Sequence, residues 1–440
     1  MIVATVEGCL VMAGLQVLVT FAPVYILKLG GTEEQVGLLA SVPYLINTLA
    51  LLLSANRPLT SVQALRRSVW SAGAHRFLMG AILFAPLLGK GAPLWVIVTY
   101  SLASGAMSLS SNYWTAAVSD MFPPNRRGRL FGIRGVYTGL TGFAATLAAG
   151  YLLDALRFPL NFTVTYTLAT GVASAAIYFL ARLEPPAAAD DEPGVKVPVT
   201  PRRDRRTQPN LFASLGSLWG GAARGDFLRV TVPLFLFNMG FFGLAPVVNI
   251  YFIERLGFSN SVIGLLMSAY MVSQVAGSLV WGALADRFGH PVIAFAALVG
   301  MATQAAAFWL VPSVAYLLVI QVLGGFCFAG VVLGTFNMII AIGGARDRSL
   351  AVTWVNVFAN FAAFVGPLVG TAVLLHAGFI PAFMGAALMR ALGAVALWRA
   401  AGETWRSRPH RRLMARFLRL APPGTPRRAA RGEQAVKGVG

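Results

Sequence analysis

The sequence predicts an all-α membrane protein with twelve transmembrane helices in two pseudo-symmetric six-helix bundles. Three observations predict it. The composition is too apolar for a water-exposed surface, the apolar runs are each long enough to cross a bilayer, and the basic residues keep to alternate connections.

Of the 440 residues, 57% are hydrophobic and only 12% are charged, and the mean hydropathy is +0.69. A soluble domain carries roughly 25% charge because its surface needs it. The formal net charge of +19 invites a nucleic-acid reading, but the placement of the charges, given below, excludes it. Cys9 and Cys327 each stand alone in an apolar run with no metal-ligand spacing and read as small apolar side chains. No metal or cofactor is expected. The chain starts apolar at Met1-Ile2-Val3 without a basic leader region, so the first helix is expected to stay in place. Arginine far outnumbers the four lysines (Lys28, Lys90, Lys196 and Lys437), which with abundant Ala and Gly points to a GC-rich prokaryotic genome.

A spanning helix needs about 20 apolar residues, because the hydrocarbon is ~30 Å thick and each residue rises ~1.5 Å. Runs of that kind lie near 3–29, 34–55, 69–88, 93–117, 131–153, 161–181, 228–253, 260–284, 291–311, 313–342, 350–375 and 379–399. Turn and charge clusters separate them, among them Gly30-Gly31-Thr32 and Gly89-Lys90-Gly91. The break between the ninth and tenth runs rests on Pro312 and Ser313.

With the amino terminus cytoplasmic, 29 of the 35 Lys and Arg residues fall on cytoplasmic segments. Lys28, Lys90, Arg157 and Arg255 fall on the other side, while Arg76 and Arg390 lie inside spans. Short cytoplasmic loops gather Lys and Arg because translocating them is disfavoured. Both termini are therefore expected in the cytoplasm, and the basic balance reports orientation rather than nucleic-acid binding.

Four segments follow: an N-terminal bundle over 1–184, a Pro-rich charged cytoplasmic linker over 185–226, a C-terminal bundle over 227–401 and a basic tail over 402–440. The bundles repeat weakly. An offset of 227 aligns Leu29-Gly30 with Leu256-Gly257, Gly37 with Gly264, Ser41 with Ser268 and Asn47 with Gln274. In the tail, Arg411 to Leu420 alternates basic and bulky apolar residues, a pattern suited to lying on anionic membrane lipid.

At the cytoplasmic end of the eighth run stands Gly282-Ala283-Leu284-Ala285-Asp286-Arg287-Phe288-Gly289-His290. This stretch resembles the G-x-L-A-D-R-x-G-R loop signature of the major facilitator superfamily and occupies the expected place between the second and third helices of a half. In the first half the equivalent stretch, from Ala55 to Val62, has Leu59 at the Asp position and Val62 at the Gly position. The segment from Asn112 through Arg134 also looks like the connection between the fourth and fifth helices of bacterial members. The resemblance implies two six-helix bundles around a central cavity, working by alternating access. It implies a conformational latch at Gly282, Asp286, Arg287 and Gly289, in which Asp286 caps the fifth helix near Gly132–Arg134. Drug antiporters of the family carry a Gly-Pro motif in the fifth helix. Here only Gly366-Pro367-Leu368-Val369-Gly370 in the eleventh echoes it.

Small residues recur on single helical faces: Ser101, Ser104, Ser108 and Ser111 on the fourth helix, and Gly132, Gly135, Gly139 and Gly142 on the fifth. Close helix packing and the lining of a wet cavity both account for such faces. An unpaired amide in hydrocarbon costs several kcal/mol. Gln16, Asn47, Asn112, Asn238, Gln274, Asn356 and Asn360, with Ser108, are therefore the candidate substrate contacts. Arg76 and Arg390 lie on helices that the resemblance assigns to the outer scaffold, where pairing or snorkelling is expected. Glu7, the only acid of the first run, is the candidate for coupling to a proton, with sodium as the other possible ion. A cavity of amides and hydroxyls suits a neutral or weakly charged organic solute.

No Walker A sequence, metal cluster or serine-nucleophile motif is present, which disfavours an ATP-driven pump or an enzyme. The expected function is a monomeric secondary active transporter in a prokaryotic cytoplasmic membrane. Proton-coupled drug or metabolite efflux is one alternative; a non-transporting sensor or lipid scramblase on the same scaffold is the other.

Overall fold

The computed structural model describes residues 2–55, 59–121, 124–183, 224–340 and 348–405. Twelve α-helices hold almost all of them. The first six are α1 (Ile2–Lys28), α2 (Glu33–Ala55), α3 (Ser61–Ala81), α4 (Ala92–Met121), α5 (Pro124–Ala155) and α6 (Leu160–Ala181). The second six are α7 (Arg224–Ile250), α8 (Asn260–Phe288), α9 (His290–Ala307), α10 (Val314–Ile340), α11 (Arg348–Ala377) and α12 (Phe379–Trp405). Among the described residues there is no strand, as expected where lipid leaves every backbone group to be satisfied within its own helix. The linker beyond residue 183 up to 223 and the tail beyond 405, including the amphipathic stretch at Arg411, lie outside the described residues.

Among the described residues eleven stretches are long and apolar enough to cross a membrane, and one of them, Ser61–Val118, runs 58 residues. That stretch holds both α3 and α4. The chain reverses between them at Gly89, whose φ of 52° and ψ of −123° break the helix at a conformation that glycine adopts without steric cost. The apolar run that begins at 69 underestimates α3, which starts at Ser61. Its first turn is polar but capped: the Thr60 hydroxyl accepts from the Gln63 N–H at 3.3 Å, and the Gln63 side chain accepts from the Thr60 N–H at 3.3 Å. Arg66 and Arg67 therefore sit on helix rather than in a loop. Trp70, Phe77, Leu87 and Val319 are exposed, a pattern tolerable only where lipid covers them.

The same helix pairs recur six helices apart. In the first half α1 packs on α5 and α6, α2 on α4, and α3 on α4 and α6; in the second, α7 packs on α11 and α12, α8 on α10, and α9 on α10 and α12. The sequence repeat has a physical meaning here. Gly30 and Gly257 both take positive φ, 82° and 61°, at the turn after the first helix of each half. Ser41 on α2 donates its hydroxyl to the Phe364 carbonyl of α11 at 2.5 Å. Ser268 on α8 donates to the Phe143 carbonyl of α5 at 3.2 Å. The paired serines thus stitch the two halves together at equivalent places.

Close packing inside the second half depends on glycine. A Cβ at Gly366 of α11 would lie 2.8 Å from the Met239 carbonyl oxygen, and one at Gly370 would fall on the Gly243 carbonyl of α7. The Gly-Pro-x-x-Gly echo in the eleventh helix is therefore a packing seam, in which small residues let backbones approach. Gly370→Val is expected to abolish the monodisperse detergent peak, because overpacking costs ~1–3 kcal/mol even where side chains alone must move. Gly171→Val, at a position with nothing within 4 Å, should elute normally. A normal Gly370→Val profile would contradict this account of the seam.

Candidate functional site

Two pairs of helices form most of the junction between the halves, α5 with α8 and α2 with α11, and both pairs converge at one end. On α5, a Cβ at Gly150 would lie 2.7 Å from the Asn260 carbonyl oxygen, and one at Gly139 would lie 2.7 Å from Val275. Gly135 and Gly132, further along, meet nothing within 4 Å. The two helices touch near Ala155 and part toward Pro124. Likewise α2 and α11 touch at Gly37, Ser41, Phe364 and Thr371. Further along, Leu45, Thr48, Trp354, Phe358 and Phe361 border a gap of about 300 Å³.

The convergent end is sealed by Phe21, Tyr25, Val247, Ile263 and Leu266, drawn from both halves and all buried. Asp154, near the end of α5, completes the seal. Its Oδ1 accepts from the Asn260 backbone N–H at 3.0 Å and the Asn260 side-chain amide at 2.8 Å; its Oδ2 accepts from the Ser261 N–H at 2.7 Å. A carboxylate thus satisfies the free amides of the first turn of α8 and sits at the positive end of that helix dipole. Between the halves lies a cavity of about 830 Å³. It opens toward the end where α1 and α5 begin and where Arg66, Arg67 and Arg287 lie, called below the basic end.

The cavity wall carries two of the eight expected substrate contacts, Gln16 and Gln274. Asn47 instead accepts a hydrogen bond from the Ser104 hydroxyl at 3.2 Å, tying α2 to α4. Ser108, Asn112, Asn238, Asn356 and Asn360 stand outside the wall in this conformation. The wall also carries Tyr270, Gln304, Gln321 and Arg390, none of which was expected to face solute. The signal for Gln304 and Gln321 was the same as for Gln16, an amide deep in an apolar run. What the sequence alone does not show is that α9 and α10 reach the cavity wall.

Arg390 departs most from expectation. Assigned by resemblance to the outer scaffold, it is 2% exposed and lines the cavity. Its Nη1 donates to the Met301 carbonyl at 2.8 Å and to Gln304 Oε1 at 3.1 Å. Arg76 makes the matching brace in the first half, donating from Nε to the Ala173 carbonyl at 3.0 Å, but away from the cavity wall.

The other charged candidates lie toward the basic end. Arg134 Nη2 stands 2.8 Å from Glu7 Oε2, Arg134 Nε donates to the Ala4 carbonyl at 3.1 Å, and the guanidinium carbon lies 4.0 Å from the centre of the Trp114 ring. Glu7 and Arg134 therefore join α1 to α5 within one half. Asp286 and Arg287 are exposed on the last turn of α8. Gly289, at φ 86°, ends that helix, its N–H donating to the Ala285 carbonyl at 2.8 Å. Among the described residues no contact joins Asp286 to α5 in this conformation.

The family profile described as the Major Facilitator Superfamily matches residues 8–244 and 230–435. The chain belongs to the Major Facilitator Superfamily. Solved structures of similar fold include the nucleoside transporter NupG, with a TM-score of 0.67 at 13% identity over 90% of this chain and 98% of that one. A bacterial homologue of the human lysosomal transporter Spinster gives a TM-score of 0.63 at 13% identity over 96% of this chain and 98% of that one. Curated relatives of this superfamily chain match more locally. The quinolone resistance protein NorA of Staphylococcus aureus is 26% identical over 137 residues, 31% of this chain and 35% of that protein. The multidrug resistance protein MdtH of Aeromonas hydrophila is 29% identical over 146 residues, 31% of this chain and 34% of that protein. The matched stretches thus span about a third of each curated relative.

Proposed function

We propose that this chain is a secondary active transporter that moves a small organic solute across a prokaryotic cytoplasmic membrane by alternating access. The observation that carries the reading is the cavity of about 830 Å³ between two equivalent halves, sealed at one end by contacts between the halves and open at the other. Basic residues gather on cytoplasmic loops, so the open end faces the cytoplasm and both termini lie there. The protein works as a monomer, a proton is the favoured coupling ion, and Glu7 is the carboxylate that carries it. The local similarity to NorA and MdtH favours efflux of organic compounds as the direction of transport. Gln16 and Gln274 contact solute in this state, and the other amides join them as the halves rock.

The test uses a variant lacking Cys9 and Cys327, with single cysteines placed at Ser278 on the open side and at Ile263 within the seal. A membrane-impermeant maleimide should label Ser278→Cys from the cytoplasmic face. It should label Ile263→Cys, 1% exposed here, slowly from the other face. A non-transporting sensor fixed in one state would leave Ile263→Cys unlabelled.

Asp286 supplies the counterpart latch, meeting the N-terminal end of α5, which begins at Pro124 rather than near Gly132–Arg134, once the cytoplasmic side closes. A charge at a helix terminus contributes ~0.3–2 kcal/mol. Asp286→Ala should therefore lower Ile263→Cys labelling about 2- to 30-fold and reduce transport, with folding intact. Unchanged labelling would remove Asp286 from the mechanism.

A further inference from the structure

We propose that Arg390 is the recognition point for an anionic group on the solute, and that the cavity takes an organic anion with a flat apolar body. The proposal rests on the transporter reading and narrows its substrate class. It narrows the expectation of a neutral or weakly charged solute, drawn from amides and hydroxyls alone, to a charged one.

A guanidinium carries five N–H donors and one full charge. At Arg390 only neutral acceptors answer them: the Met301 carbonyl and Gln304 Oε1, both on Nη1. Nε is buried with no acceptor. Among the described residues no carboxylate lies within 4.0 Å of this arginine. A buried cation without a counter-ion is costly, and the brace from α12 to α9 needs no charge, since an amide could make it. What distinguishes Arg390 from Arg76, the matching brace, is its place on the cavity wall. A solute anion arriving there would supply the missing negative charge through charge-assisted hydrogen bonds.

The surroundings define the rest of the solute. The Arg390 guanidinium carbon lies 5.5 Å from the centre of the Phe241 ring. Phe241 stacks on Phe328 with centroids 4.8 Å apart, and Phe328 meets Tyr270 at 6.1 Å. The Tyr270 hydroxyl is buried with no partner, a second donor on the same wall. Gln321 adds an amide on the same wall, whose Nε2 donates to the Met267 sulfur at 3.7 Å. One cation, one free hydroxyl and the aromatic side chains of Phe241, Phe308 and Phe336 on the same wall match an aromatic carboxylate better than a sugar, which would need many paired acceptors and donors.

The experiment measures equilibrium binding of radiolabelled 2-naphthoate and 2-naphthamide to the full-length protein purified in detergent. The two probes share shape and differ in charge. Both probes can accept from the guanidinium, but only the anion compensates its buried charge, so the anion should bind about 10-fold tighter. In Arg390→Gln the ratio should fall to about 1, and in Tyr270→Phe it should fall severalfold. Arg390→Lys, which keeps the charge, should retain a preference and guards against a Gln variant that does not fold. Three results would each overturn the proposal: no naphthoate binding by the wild type, equal affinity for the two probes, or a preference that survives in Arg390→Gln. The cysteine-labelling test of alternating access does not involve Arg390. The substrate assignment can therefore fail while the transporter reading stands, and the converse result is equally visible.

Discussion

Asp154→Ala will shift the bundle toward the state open at the end opposite the basic one, and maleimide labelling of Ile263→Cys will report the shift. In the present conformation the Asp154 carboxylate takes three hydrogen bonds from Asn260 and Ser261. Nothing equivalent replaces them in an alanine variant. Asp154 is exposed, so solvent screens part of its charge. A contribution of about 1–2 kcal/mol follows from capping and the helix dipole together. That corresponds to roughly a 5- to 30-fold rise in labelling rate, since 1.4 kcal/mol is a factor of ten. Asp154→Asn, which keeps an acceptor but loses the charge, should fall between. The sign matters most. Asp154→Ala should raise Ile263→Cys labelling, Asp286→Ala should lower it, and the double variant should lie between the two single ones. Both acids stand near the C-terminal end of a helix, one on α5 and one on α8; Asp154 meets the N-terminal end of α8 in this conformation, and Asp286 is proposed to meet that of α5 in the other. Asp154→Ala labelling at the wild-type rate would show that the apolar seal alone holds this end closed.

The twelve-helix architecture was legible because lipid imposes a length and composition that few other environments require. The aligned pairs Gly37/Gly264 and Ser41/Ser268 pointed to equivalent positions, although their role in joining the halves needed coordinates. The start of α3 was not legible from hydropathy, since its first turn is held by the Thr60–Gln63 box rather than by apolar contacts. The site was read less well. Gln16 and Gln274 follow from the cost of a lone amide in hydrocarbon, but that cost does not say whether a partner is another helix or the solute. Asn47 found Ser104 and left the wall. Arg390 was misplaced for a different reason. Family resemblance ranks its helix as scaffold, whereas its side chain bonds to Met301 and Gln304 of α9 and reaches the cavity wall.

Arg134→Ala is expected to destabilise the protein more than Glu7→Gln. The Glu7 side chain is 7% exposed and that of Arg134 22% exposed. Removing the arginine strands a buried carboxylate, while removing the charge of Glu7 leaves a guanidinium that still has the Ala4 carbonyl and the Trp114 ring. Breaking a buried pair from one side costs about 3–5 kcal/mol, mostly the penalty of the charge left behind. The arginine side is the worse one to break. Replacing both residues with apolar ones of similar size, as in Glu7→Leu with Arg134→Leu, should recover much of the loss, because no charge is then stranded. Gly8 offers an independent test. A Cβ there would lie 2.5 Å from Arg134 Nε, so Gly8→Ala should displace the guanidinium and mimic Arg134→Ala in part. Thermal melting of the detergent-purified variants, followed by the loss of the monodisperse peak, gives the order. A double variant less stable than Arg134→Ala would show that the pair gives α1 and α5 net attraction rather than mutual neutralisation. An Arg134→Ala variant that melts with the wild type would show that Glu7 finds another partner and that the pair does not hold the two helices.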